Sequence, residues 1–108
     1  MDVLAIAQQI AELTRENSKG SDALYDAEIE LANAEHKLDT IEAKAFIRNQ
    51  GSVADRQALA RLEASEARLE RDIAKAKVNR IRTKIKAIES ALMASATQAK
   101  LIQSEMKL

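Results

Sequence analysis

The sequence predicts an all-α protein: a long antiparallel helical hairpin of coiled-coil type that assembles into a helix-bundle oligomer. Three observations carry that prediction. The 108 residues include no Pro, no Cys and no Trp, two Gly, one Tyr and one Phe, so turn formers and sheet-favouring aromatics are almost absent. Hydrophobic residues make up 46% of the chain, but 21 residues are Ala, and charged residues supply another 31%. Ala buries little area, so the larger aliphatics have to line a narrow seam to give a core, and they recur with the 3,4 spacing that such a seam requires. All-β and α/β folds are excluded.

The first helix is expected over about residues 2–49. Counting by 3 and 4 from Val3 gives Ile6, Ile10, Leu13, Asn17, Gly20, Leu24, Ala27, Leu31, Ala34, Leu38, Ile41 and Ala45 without a phase shift. Residues 14–21 are polar and resemble a loop by composition. Gly20 costs a helix about 1 kcal/mol relative to Ala, so residues 17–21 mark a possible break within an otherwise continuous register. The turn is expected at 49–52, where Gly51 suits a left-handed C-cap and Ser52 with Asp55 forms a Ser-x-x-Asp helix start.

The second helix is expected over about residues 53–107. Leu59, Leu62, Glu66, Leu69 and Ile73 follow one heptad register. Val78, Ile81, Ile85, Ile88, Leu92, Ser95, Ala99, Ile102 and Met106 follow another, and the change of phase reads as a four-residue stutter. Folding back about Gly51 pairs residues whose numbers sum to about 102, which brings the two termini together, sets His36 opposite Glu66 and puts Asn17 near Ile85. Glu66 and Asn17 then read as polar residues that fix the register.

Charge is distributed to match. The chain is formally neutral, yet ten acidic and five basic residues precede Gly51, and seven acidic and twelve basic residues follow it. Halves of opposite sign point to pairing with each other. The densest basic run is Lys75, Lys77, Arg80, Arg82, Lys84 and Lys86, with no acidic residue between Ile73 and Ile88. As a string it is a candidate contact for nucleic-acid phosphates, with Arg68 and Arg71 adding to it. On a helix its members flank the Val78 to Ile88 seam, where coiled coils place partner-selecting charges, and Glu16, Asp22, Asp26, Glu28 and Glu30 stand opposite. Tyr25 and Phe46 do not interleave with the run, which argues against single-strand readout by stacking.

No phosphate loop, nucleophile elbow or metal-spaced carboxylate set occurs, and a lone His without Cys cannot build an ordinary zinc site. The expectation is therefore a protein that is not an enzyme, with no cofactor, no metal and no small-molecule substrate. Met1-Asp2-Val3-Leu4 lacks the basic stretch of a secretory signal, and the longest uncharged runs, 3–11 and 90–99, are about half a bilayer span. Without Cys or a membrane segment, a cytoplasmic location fits. The ends of the chain are apolar over more than one stripe: Leu4, Ala7 and Ala11 accompany Val3, Ile6, Ile10 and Leu13, and Met93, Ala96, Leu101 and Leu108 accompany Leu92, Ile102 and Met106. A two-helix hairpin covers one stripe, so a homo-oligomeric interface is expected there, most simply a dimer.

The stretch Glu-Ala-Lys-Ala at Glu42 to Ala45, the Gly51-Ser52 turn and the Asp55-Arg56 helix start, followed by the long charged helix, resemble a group of small helical bacteriophage proteins over roughly residues 25–108. The resemblance implies a phage or prophage origin, expression inside a bacterial host cell and an accessory role around replication, recombination or host defence. Two functions are carried forward: a helical interaction or assembly protein with a protein partner, and a non-specific DNA-binding accessory factor that uses residues 75–86.

Overall fold

The computed structural model describes residues 2–107, and within them the chain is all-α, its first helix antiparallel to the second arm within each of two compact units. Leu108, one of the expected interface residues, lies outside the described residues. Helix α1 spans Val3–Arg48, α2 spans Val53–Glu63 and α3 spans Ser65–Lys107. α1 opens with the Asp2 carboxylate accepting from the Leu4 N–H at 3.0 Å. It runs unbroken through residues 17–21, so the polar composition there reflects an exposed face and the continuous register decides the structure.

The turn has the expected chemistry. Gly51 takes φ 117°, a left-handed conformation that Gly tolerates best. The Ser52 hydroxyl accepts from the Asp55 N–H at 3.1 Å and caps α2. Asn49 closes α1, its side-chain amide donating to the Ala45 carbonyl at 2.7 Å and to Glu63 at 3.2 Å. Arg56 reaches back across the turn, donating to the Phe46 carbonyl at 3.0 Å with its guanidinium 4.1 Å from the centre of the Phe46 ring.

Two compact units make up the chain, one formed by residues up to Leu24 together with Arg80 onward (unit 1), the other by Tyr25–Asn79 (unit 2). In both, the first-arm seam is the expected one. Ile6, Ala27, Leu38 and Ala45 are buried, and Ile10, Leu13, Asn17, Gly20, Leu24, Leu31, Ala34 and Ile41 are half-buried; Val3, at the end of the series, is exposed.

The second arm corrects the sequence reading. The inward residues of unit 2 are Ala60, Ala64, Ala67, Ala74 and Val78, with Arg71 half-buried at the intervening seam position. Counting by 3 and 4 from Ala60 continues without interruption to Ile81, Ile85, Ile88, Leu92, Ser95, Ala99 and Ile102, all buried or half-buried. There is no stutter between Ile73 and Ile81. The Leu59, Leu62, Glu66, Leu69 and Ile73 row, expected inside, lies outside, because Ala side chains admit the first arm more closely and the half-buried stems of Arg68 and Arg71 complete the packing. Leu38 sits among Ala64 and Ala67, with Ile41 packed on that cluster.

The helical discontinuity of the second arm falls at Ala64, where ψ is 7°. Arg68 donates to the Arg61 carbonyl at 3.2 Å, drawing that acceptor toward a side chain and out of the ladder. The Ala64 N–H still bonds to Ala60 and the Ala64 carbonyl still accepts from Arg68, so the axis resumes at once.

Pairing is also offset from the count about Gly51. In unit 2, Lys37 meets Glu70 and Glu30 meets Lys77, each at 3.0 Å. Those numbers sum to 107, while Leu38 with Ala67 in the core sums to 105, so the register lies about one helical turn from the expected 102, as the Ala seam sets it. His36 and Glu66 are consequently both exposed and are not a pair, and in unit 1 Gly20 lies against Ile85, with Asn17 half-buried one turn before it on the same seam.

Candidate interaction surfaces

Unit 2 presents a row that its own fold does not use. Leu62 is 71% exposed, Leu69 60%, Ile73 61% and Leu59 40%, all on one side of α2 and α3 and turned away from the Ala60 to Ala74 seam. Their spacing is that of a second heptad seam, with Glu66 at its centre. Isolated apolar residues on a surface need no explanation, but four at coiled-coil spacing form a contiguous patch. The signal was present in the sequence: carrying the Val78 register backward by 3 and 4 lands on Ala and leaves this row outside.

Several charges along the second arm of unit 2 are paired with α1. Lys37 to Glu70 and Lys77 to Glu30 bridge one flank; Arg68 to Glu42 bridges the other, and Arg48 to Glu63 closes the turn end. The Glu63 carboxyl is held below its ordinary pKa, first by the hydrogen bond from Asn49, which desolvation opposes, and further by the hydrogen bond and charge of Arg48. Asp72 is paired with Arg71 at 2.8 Å. Glu66 makes no ion pair among the described residues.

Of the basic run, Lys75 and Lys77 belong to unit 2, and Arg80, Arg82, Lys84 and Lys86 belong to unit 1. Lys77 is bound to Glu30, as opposed charge on the two arms predicts, and Arg82 is also engaged by a partner. Lys75, Arg80, Lys84 and Lys86 are exposed. Lys84 borders a groove of unit 1, about 420 Å³, that opens where Gly20 leaves space beside Ile81, Ile85 and Ile88, with Glu16 and Lys19 on the same rim.

The expected terminal interface divides into two groups. Ile6 is buried and Ile10, Leu13, Leu92 and Ile102 are half-buried, so these form the seam of unit 1 itself. Val3, Leu4, Met93 and Met106 are exposed, as is Leu101 beside them. A narrow apolar cleft of about 130 Å³ lies between Val3, Ile6, Ile10, Ile102 and Met106. Among the described residues no group of three or more His, Asp or Glu is placed to hold a metal ion, and no helix is long and apolar enough to cross a membrane. No protein-family model, curated protein or solved structure matches the chain.

Proposed function

We propose that the chain is a non-enzymatic helical assembly module, one that self-associates through the apolar residues unit 1 leaves uncovered and offers the outer row of unit 2 to a protein partner. The observation that carries this reading is the Leu59, Leu62, Leu69 and Ile73 row, exposed at coiled-coil spacing on a helix already anchored by its opposite face. Val3, Leu4, Met93 and Met106 support self-association in the same way, being large, apolar and uncovered at the chain ends. The resemblance to small phage helical proteins directs the search for the partner toward replication, recombination and host-defence proteins.

Light scattering after size exclusion tests the self-association. At tens of micromolar the mass should exceed 11.9 kDa, and Leu4→Gln with Met93→Gln should return it toward the monomer. A strictly monomeric mass for the unaltered chain would reject this half of the proposal.

A further inference from the structure

The row on unit 2 carries one charged residue, and its position decides what can cover the row. Leu59 and Ile73 each lie seven residues from Glu66, with Leu62 and Leu69 between. A second copy laid over the row in parallel therefore sets Glu66 against Glu66, and an antiparallel copy sets each Glu66 against Leu62 or Leu69; neither brings a cation to that core position. The neighbouring cations are taken: Arg48, Lys37 and Arg71 pair with the bordering acids Glu63, Glu70 and Asp72, and no cation within the described residues pairs with Glu66. Burying a carboxylate without a cation in such a seam is strongly unfavourable, whereas a Lys or Arg facing Glu66 gives a buried, oppositely charged pair. A single polar core position of this kind fixes partner and register in coiled coils.

We infer that the Leu59 to Ile73 row is a docking face for an amphipathic helix of a different protein, one that carries Leu or Ile at 3,4 spacing and a basic residue at the core position opposite Glu66. The inference rests on the interaction-module reading above and adds the chemistry of the partner. The mode is helix-on-helix packing, with the apolar residues giving affinity and the Glu66 pair giving selectivity.

The test uses the full chain and two labelled synthetic helices of about three heptads with Leu at the core positions, one with Lys and one with Glu at the central core position. By fluorescence anisotropy the Lys helix should bind at least about tenfold more tightly than the Glu helix. Glu66→Lys should reverse that order, and Glu66→Gln should remove most of the difference. Helical content of each variant is checked by circular dichroism, and position 66 is exposed, so the fold should persist. Equal affinity for the two helices, or no binding of either, overturns the inference. So does a mass that falls when Leu62→Gln and Leu69→Gln are combined, since a second copy would then be the occupant. In that last case self-association itself stands and the partner's chemistry fails. A monomeric unaltered chain that still discriminates between the helices supports the inference while removing self-association through unit 1.

Discussion

Replacing Gly20 tests whether α1 is one continuous helix packed on the second arm. A Cβ added at Gly20 would lie 3.0 Å from Ile85 Cγ1 and 3.6 Å from its Cδ1. Carbon atoms pack best at about 3.5–4.0 Å, so Ile85 has to give by about half an ångström. Against that stands the helix propensity of Ala, about 1 kcal/mol better than Gly in a helix interior. Overpacking a tight core costs about 1–3 kcal/mol, but Ile85 is half-buried and borders the open groove beside Gly20, so it can move. Gly20→Ala should therefore stabilise the protein, by less than about 1 kcal/mol. In an Ile85→Ala background the clash is gone, and the same change should recover the full value of about 1 kcal/mol. The assay is urea unfolding followed by circular dichroism at one fixed protein concentration, read as a double-mutant cycle. Destabilisation by Gly20→Ala in both backgrounds would refute a continuous α1 and place a real break at residues 17–21.

The depressed carboxyl of Glu63 gives a pH dependence with a definite sign. Its folded pKa lies below the ordinary value, so its contribution is full above about pH 4.5 and is lost as the pH falls through the folded value; Glu63→Gln should flatten the acid side of the stability curve, measured by thermal melting from pH 3 to 7. The Glu30 to Lys77 pair is exposed, so Lys77→Glu should cost about 1 kcal/mol or less, and the swap Glu30→Lys with Lys77→Glu should restore most of it in chemical denaturation. With Lys77 and Arg82 engaged, the basic run should bind neither single- nor double-stranded DNA detectably at about 50 mM salt; binding that weakens steeply with salt would instead favour phosphate contact.

The first arm was legible because its large aliphatics and its Ala residues occupy the same seam, so size and register agree. The second arm separates them. There the bulky row, Leu59 to Ile73, is the conspicuous one, but the fold turns it outward and buries Ala60, Ala64, Ala67 and Ala74. Small side chains permit close helix contact, and Arg68 and Arg71 lend their stems, contributions that a reading by hydrophobicity alone undervalues. An unbroken 3,4 count from Ile102 back to Ala60 is the simpler register and needs no stutter. The turn was legible in detail because Gly51 and Ser52 each meet a specific backbone requirement. The pairing offset was not, since long Lys and Arg side chains find their partners across several residues. The terminal residues stand out in the sequence as apolar, but which of them serve the seam and which remain uncovered depends on the rotation of each helix.

The central claim is that α2 and α3 pack on α1 through Ala and leave the Leu/Ile row open. The most direct measurement compares Ala64→Gln with Leu62→Gln by urea unfolding at low micromolar concentration. Ala64 is 0% exposed in the Leu38 cluster and Leu62 is 71% exposed. Ala64→Gln should destabilise by about 1–3 kcal/mol through overpacking and a buried amide, and Leu62→Gln should stay within about 0.5 kcal/mol of the unaltered chain. The opposite order, with Leu62→Gln the damaging change and Ala64→Gln tolerated, would contradict the account and return the Leu row to the interior.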